Sequence, residues 1–338
     1  MVGYCNPITE ADINVTIQPY TRLNGVNFNM SNKIVSSVDY SDYDAYFNGA
    51  WIRYDEIKIA PDDRGFELAD GVFDIARTFN GIPFVLERHI DRLYRSLKFL
   101  RMDSGLTPEE MAVICNEGIL RNEHRKSEAG DFTIHPFVTR GKYLDGPPTV
   151  CVSIKPIDFL SFAKFYVEGA HGVIARTRSY TSDTVEPKVK HHSRLNMVLA
   201  TLEAHDIDPE ALPILLDQDG NITEGTGNNI FLVKNGVLKT PDDRHILQGV
   251  SRDVVMDVAQ QLGIPVSVEN LQPYDLYTAD EVFFTRTSPR IVPVSRVDGR
   301  HIGDQIPGPI TQQLIAGHSE LVGVDLVGQA LHHAGLTN

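Results

Sequence analysis

Residues 222–241 read ITEGTGNNIFLVKNGVLKTP, and no other stretch says more about the fold. Its apolar runs at Asn228–Lys234 and Val237–Thr240 lie on either side of Asn235-Gly236, a strong short-range signal for a β-hairpin. Another strand is predicted before it, at 212–217, followed by an Asp-Gly turn at 219–220. We therefore predict a series of strands joined by tight turns in this part of the chain.

Hairpins and helices are predicted on both sides of this stretch. Asn48-Gly49 and Asn80-Gly81 each separate two β-rich runs, within 46–59 and 71–86. Sequence patterns predict helices from about residue 87, at 108–121, 195–205 and 311–321, and from Ser251 as the N-cap to Leu262. Further strands are predicted at 133–139, 149–154, 172–176, 281–285 and 291–294. Hairpins mixed with helices in two blocks favour an α+β fold over a run of βαβ units.

The length of 338 residues favours two domains. The segment KPIDFLSFAKFY, at 155–166, leaves the surrounding pattern and is the expected junction. We predict an N-terminal extension over 1–45, a small α/β domain over 46–155, an interdomain linker over 156–166, a larger C-terminal domain over 167–325 and a C-terminal tail over 326–338.

Composition narrows the class of protein. The formal net charge of −14 argues against nucleic acid or an anionic membrane as the main partner. The three cysteines, Cys5, Cys115 and Cys151, form no CxxC pair, so neither a disulfide framework nor a zinc site is predicted. No apolar stretch approaches the roughly 20 residues of a membrane span, and the first residues lack the apolar core of a signal peptide. We therefore expect a cytoplasmic protein without a bound metal.

Lys190 lies in VEPKVKHHSRLN, between a predicted strand and a predicted helix. A lysine in such a loop is usually solvated. A lysine that bonds covalently to a carbonyl needs a partly buried, positively biased site that keeps its amine neutral. The adjacent His191 and His192 could bind a metal, but neighbouring side chains face different directions, so a structural role is favoured.

Three other segments carry candidate chemistry. Glu224 stands before two glycines that let a ligand approach the backbone closely, although the motif taken alone favours an exposed acid in a turn. The predicted helix start at 249–252 could bind an anion through free N–H groups and the helix dipole. The segment TRTSPR, at 285–290, offers hydroxyl groups and cations at a strand end, whereas Arg88, Arg92 and Arg95 would normally form a solvated helix face.

Together and in chain order, these segments resemble the fold-type IV pyridoxal-5'-phosphate (PLP) aminotransferases. The resemblance extends from about residue 46 to residue 321. It is carried by DRGFELADGVFDIARTFNG (63–81), ERHIDRLYRS (87–96), VTRG (138–141), KHHSRLNMVLATLEA (190–204), ITEGTGNNIFLVKNGVLKTP (222–241), ILQGVSRDVV (246–255) and DEVFFTRTSPRIVPV (280–294). It implies that the larger domain binds PLP, that catalysis is ping-pong and that the active site lies at the interface of a homodimer or higher homo-oligomer.

The resemblance also implies roles for individual residues. The lysine thirteen residues before Glu203 attaches the cofactor and moves the proton during catalysis, which selects Lys190 rather than Lys188. Glu224 pairs with the pyridine nitrogen. The phosphate contacts are Arg92, Val250, Ser251 and Thr287. The positions near the substrate are Phe73, Arg77 and Ser288.

Arg194 departs from the family pattern. Many members have a tyrosine four or five residues after the lysine, near the oxygen on the cofactor ring, whereas Arg194 and then a leucine stand there in this chain. We therefore include Arg194 among the residues predicted to bind the cofactor. Its contact with the ring oxygen is expected to differ from that of the usual tyrosine.

Four functions are compatible with these residues. The first is a transaminase that moves the amino group of a branched-chain or other hydrophobic amino acid to a 2-oxo acid. An (R)-selective amine transaminase is the close alternative, favoured by the N-terminal extension and by GDQIPGPIT at 303–311. An aminodeoxychorismate lyase and a non-catalytic binding protein are the others. D-Amino acid specificity is disfavoured, because KYLDGPP at 142–148 lacks the arginine and histidine with which that branch binds the substrate carboxylate.

Overall fold

A computed structural model describes residues 39–336, except for the side chains of residues 128 and 129. Most of the predicted N-terminal extension therefore lies outside the described residues. The described part contains two sheets with helices packed against them, which confirms the predicted α+β class. The sheets lie one after the other in the chain, as the two blocks of the sequence predict, and the finer domain boundaries stay a prediction.

The first sheet has seven strands in the order β2-β1-β7-β6-β4-β5, with β3 paired to β6. Its strands are β1 (Asp44–Phe47), β2 (Ala50–Arg53), β3 (Gly71–Phe73), β4 (Ala76–Phe79), β5 (Ile82–Pro83), β6 (Phe132–Thr139) and β7 (Thr149–Pro156). The helices of this part are α1 (Arg64–Leu68), α2 (Leu86–Phe99), α3 (Pro108–Arg121) and α4 (Lys126–Ala129). Both predicted Asn-Gly turns are present, since β1 pairs with β2 and β4 pairs with β5 in antiparallel register.

The second sheet has nine strands in the order β10-β9-β8-β15-β14-β11-β12-β13, with β16 paired to β15. Its strands are β8 (Ala170–Ile174), β9 (Leu212–Leu216), β10 (Ile222–Gly225), β11 (Asn228–Lys234), β12 (Val237–Thr240), β13 (Val266–Val268), β14 (Glu281–Arg286), β15 (Arg290–Val297) and β16 (Arg300–His301). The helices are α5 (Phe165–Glu168), α6 (Leu195–His205), α7 (Val250–Gln261), α8 (Pro273–Tyr277), α9 (Pro309–Val322) and α10 (Leu326–His333). No helix among the described residues is long and apolar enough to cross a membrane.

Helix α2 buries one apolar stripe formed by Leu86, Ile90, Leu93 and Leu97. The expectation that its three arginines form a solvated face is wrong for one of them. Arg92 is only 4% exposed, because it turns inward to the carboxylate of Asp74, between β3 and β4, whereas the side chains of Arg88 and Arg95 are about half exposed.

The start of α7 differs from the prediction that Ser251 is its N-cap. Gly249 is the N-cap, with extended backbone angles, and Val250 is already the first helical residue, so Ser251 is the second. A Cβ atom at position 249 would overlap the Oδ1 atom of Asn229, so close packing against β11 places a glycine at the helix boundary.

Candidate active site

One cleft brings together six of the predicted site residues, contributed by four segments of the chain. They are Arg92 from α2, Lys190 and Arg194 from the loop before α6, Glu224 from β10, and Val250 and Ser251 from the start of α7. Asn228, Asn229, Leu247, Thr285 and Arg286 also line it, together with Gly227 and Gly249. The other four candidates, Phe73, Arg77, Thr287 and Ser288, lie outside this lining.

Lys190 is buried, with only 7% of its surface exposed, so it is not the solvated loop lysine that its polar neighbours suggest. Its backbone N–H donates to Ser96 Oγ at 3.2 Å, and its carbonyl accepts from the backbone N–H of Phe73 at 3.0 Å. Its Nζ lies 4.8 Å from the centroid of the Phe73 ring. Burial, followed by the charges of Arg194 and Arg92, holds the pKa of the amine well below its ordinary value. The site therefore favours a neutral, nucleophilic amine.

Glu224 is 6% exposed, and one of its oxygens is fixed in place. Oε2 accepts from the backbone N–H of Leu247 at 3.2 Å and from Asn229 Nδ2 at 3.4 Å. Burial raises the pKa of the carboxyl group to about 7, although Arg194 and the Leu247 N–H oppose this rise. A protonated ring nitrogen beside Glu224 would restore the charged carboxylate, because an adjacent positive charge favours the ionised form.

Arg92 is held by Asp74, a residue that the sequence analysis did not single out. Asp74 is fully buried and accepts Arg92 Nε and Nη2, each at 2.8 Å, and His89 Nδ1 at 2.7 Å. Burial alone would raise the pKa of Asp74, but Arg92 and His89 lower it below its usual range. The carboxylate therefore stays charged and keeps the guanidinium in one orientation.

Arg92 also links α2 to the start of α7. Its Nη1 donates to the carbonyl oxygen of Gln248 at 3.0 Å, one residue before the N-cap Gly249. The first N–H groups of α7, beginning at Val250 and Ser251, have no partners within the helix and lie at the positive end of its dipole. A guanidinium next to a helix N-terminus is a suitable arrangement for a phosphate group.

The polar groups of the cleft fit PLP. Arg92 and the start of α7 suit its phosphate, Glu224 suits its ring nitrogen and Lys190 suits its aldehyde carbon. Two further lining atoms, Thr285 Oγ1 and Asn228 Oδ1, are buried and have no hydrogen-bond partner among the described residues.

Phe73 and the turn between β14 and β15 lie next to this lining. The Phe73 ring packs against Lys190 Nζ and against the ring of His192. The centroids of the Phe73 and His192 rings are 4.9 Å apart. Thr287 Oγ1 donates to the carbonyl of Ile75 at 3.1 Å, so its side chain is bound to the connection between β3 and β4. The roles predicted for Phe73, Thr287 and Ser288 stay predictions.

Arg77 supports the same turn. It is 2% exposed, and its guanidinium donates to the carbonyl oxygens of Thr78 and Ser288 and, at 3.0 Å, to Gln329 Oε1 on α10. Each of its three nitrogens thus donates to one protein oxygen, which anchors the side chain between β4, the turn and α10. This geometry gives Arg77 a structural role, and its predicted contact with substrate stays a prediction. Among the described residues no group of three potential metal ligands is found.

Comparisons with known proteins identify the family to which the chain belongs. Residues 71–297 match the family model for amino-transferase class IV. The chain is 41% identical over 278 residues to a Methanocaldococcus jannaschii protein provisionally assigned as a branched-chain-amino-acid aminotransferase, covering 80% of this chain and 93% of that protein. It is 31% identical over 276 residues to the D-alanine aminotransferase of Bacillus licheniformis, covering 79% and 93%.

A solved structure extends the similarity to three dimensions. The branched-chain amino acid aminotransferase from the thermophilic archaeon Thermoproteus uzoniensis, with norvaline, gives a TM-score of 0.74 at 28% identity, over 87% of this chain and 98% of that one. The family model and this long match confirm the resemblance read from the sequence: the chain belongs to the class IV aminotransferases.

Proposed function

We propose that this protein is a PLP-dependent aminotransferase that moves the amino group of a branched-chain or other hydrophobic amino acid to a 2-oxo acid. The observation that carries the proposal is the convergence of Lys190, Glu224, Arg92 and the start of α7 in one cleft. The relative from Methanocaldococcus jannaschii and the structure from Thermoproteus uzoniensis support the choice of substrate.

Each chemical task has a group in the cleft. Arg92 and the N–H groups at Val250 and Ser251 would bind the phosphate, and Glu224 would pair with the ring nitrogen. PLP, when bound, supplies an electron sink for the electron pair left on the substrate carbon. Lys190 would accept the proton from that carbon as a base and, as an acid, deliver it to the cofactor carbon that carries the substrate nitrogen, which requires the neutral amine that burial favours.

Substrate choice is tested by comparing kcat/KM for three amino donors: L-leucine, D-alanine and (R)-1-phenylethylamine, each with 2-oxoglutarate and with pyruvate. We expect L-leucine to be the best donor. No turnover of L-leucine, with turnover of the amine, would replace this proposal by the (R)-selective alternative. Pyruvate formed from aminodeoxychorismate without an amino acceptor would indicate a lyase.

We propose that the protein is a homodimer that pairs through an apolar stripe on α6. Leu195, Val198, Leu199 and Leu202 recur at three- and four-residue spacing and are 46–67% exposed. Water-exposed leucines on one face of a helix are unfavourable, and the spacing suits packing against another helix. The stripe begins five residues after Lys190, so a second copy seated there would lie beside the cleft.

Replacing both Leu199 and Leu202 with glutamate is therefore expected to convert the protein to a monomer, as measured by light scattering after size-exclusion chromatography. The charges cannot be buried against a second helix without a large desolvation cost. The matched control replaces Val113 and Leu120, two exposed apolar residues of α3, with glutamate. This variant should keep the mass of the wild-type protein in solution. Dimers that persist in the α6 variant would show that the partner binds elsewhere.

The protein is further proposed to act in the cytoplasm. Cys115 and Cys151 are buried free thiols, as expected in a reducing compartment.

A further inference from the structure

Arg290, at the start of β15, is a fully buried arginine that does not line the cleft. Its Nε donates to Nε2 of His318 on α9 at 3.0 Å. Its Nη1 and Nη2 are also buried, and neither has a hydrogen-bond partner among the described residues. A guanidinium inside a protein is strongly unfavourable unless acceptors compensate its charge and its N–H groups. The two Nη atoms of Arg290 therefore call for an acceptor.

His318 adds a further donor without a partner. An arginine nitrogen can only donate, so Nε2 of His318 accepts from Arg290 and the proton of the neutral ring is on Nδ1. This Nδ1 is buried and has no partner within residues 39–336. Burial, followed by the charges of Arg290 and Arg77, holds the pKa of His318 well below its ordinary value, so the ring is neutral. The unpartnered groups of this pair are thus all donors, which favours an occupant that only accepts hydrogen bonds.

Three acids on the elements around Arg290 are already engaged. Glu281 on β14 accepts from the backbone N–H groups at the start of α9, and Asp325 accepts from the first turn of α10 as its N-cap. Asp131 accepts hydrogen bonds from β4, from the turn after it and from α10. Burial, followed by the charge of Arg77, lowers the pKa of Arg290 to about 9, so the guanidinium stays charged near pH 7. Its charge is therefore not neutralised by these acids.

Side chains packed around Arg290 limit the size of an occupant. The guanidinium carbon lies 5.1 Å from the centroid of the Phe84 ring, which is itself 5.8 Å from the centroid of the His318 ring. Tyr166 is also buried, and its hydroxyl donates to the carbonyl of Pro289, the residue before Arg290. Because no part of Arg290 reaches solvent, a single-atom anion fits this place better than phosphate or an organic acid.

We propose that Arg290 binds a chloride ion inside the protein, next to the turn between β14 and β15. The ion neutralises a buried charge and satisfies N–H groups that the fold leaves without partners. The same turn is held by Arg77, which donates to the carbonyl of Ser288, and by Tyr166, which donates to that of Pro289. The ion therefore stabilises the folded protein at the edge of the active site, and this inference does not depend on which amine the enzyme accepts.

The test is thermal unfolding of the PLP-loaded protein in sodium chloride and in sodium gluconate at equal ionic strength. A ligand that binds only the folded state raises its stability. Replacing gluconate by chloride should therefore raise Tm by about 2 °C or more in the wild type relative to Arg290→Met. Arg252→Met is the matched control, because Arg252 is buried but already has Asp243 as an acidic partner at 3.4 Å. This variant should keep the wild-type response to chloride.

Equal responses of the wild type and Arg290→Met would overturn the inference. Loss of the response in both arginine variants would also overturn it, because the effect would then belong to buried charge in general. If Arg290→Met does not fold, anomalous diffraction from wild-type crystals in sodium bromide decides: a bromide beside the Nη atoms of Arg290 is expected, and its absence overturns the inference. A bromide there in a wild-type protein whose Tm ignores chloride is an adventitious ion only, with the same consequence.

Discussion

Replacing Lys190 with alanine is expected to abolish the visible absorbance that depends on its bond to PLP and to lower kcat by about 10²–10⁴-fold. The change removes both the covalent attachment and the group that moves the proton. It should affect PLP binding less than activity, because Arg92, Glu224 and the start of α7 remain. Absorbance spectra with added PLP and steady-state rates with L-leucine and 2-oxoglutarate measure the two effects.

Lys188→Ala is the matched control for this experiment. Lys188 lies two residues earlier in the same loop, but its side chain is 40% exposed and pairs with Glu186 at 3.6 Å. Its removal should leave both the absorbance and kcat unchanged. The opposite pattern, in which Lys188→Ala loses the absorbance and Lys190→Ala keeps it, would refute the assignment of the attachment site.

Asp74→Asn is expected to lower the free energy of unfolding by about 3–5 kcal/mol, because it leaves Arg92 buried without its charged partner. Asparagine has nearly the same shape, so little packing is lost. The guanidinium that is freed should also weaken PLP binding, since its orientation toward α7 is no longer fixed. Urea unfolding of the cofactor-free protein and PLP titration of the folded protein measure these two effects separately.

Asp91→Asn is the control, because Asp91 is exposed on the same helix as Arg92 and pairs with Arg95 in solvent. Such surface pairs contribute about 1 kcal/mol or less. Equal destabilisation by the two variants would contradict the importance assigned to Asp74.

The pH dependence of Asp74 follows from its lowered pKa in the folded protein. A carboxyl group whose pKa is lower in the folded state stabilises the fold above the unfolded pKa of about 3.9, and this contribution is lost as pH falls through the folded value. The difference in stability between wild type and Asp74→Asn should therefore be constant near neutral pH. It should shrink only in strong acid.

Local patterns in the sequence predicted much of the fold. The bounds predicted for α6, β11 and β12 agree with the structure, because turn residues and apolar periodicity act within a few residues of each element. The strand β10 was missed, since ITEG is too short and too rich in polar and small residues to resemble a strand. It is nevertheless the element that positions Glu224.

The prediction of the site residues depended more on the family resemblance than on local sequence patterns. Lys190 resembles a surface lysine in its own segment, and only the fold buries it. Asp74 was missed because its partner Arg92 is 18 residues away on another element. The N-cap of α7 was misplaced because packing of Gly249 against Asn229, a long-range contact, decides where the helix begins.

The hydrogen bonds of Gln329 connect helix α10 to the turn that carries Ser288. Its Oε1 accepts from Arg77, which holds the carbonyl of Ser288, while its Nε2 donates to Asp131 at 2.8 Å. Two successive hydrogen bonds, through Arg77, thus connect Gln329 on α10 to the turn at the edge of the active site. Because Ser288 is predicted to lie near the substrate, we expect substitutions on α10 to change which amine this enzyme accepts while every group that lines the cleft stays unchanged.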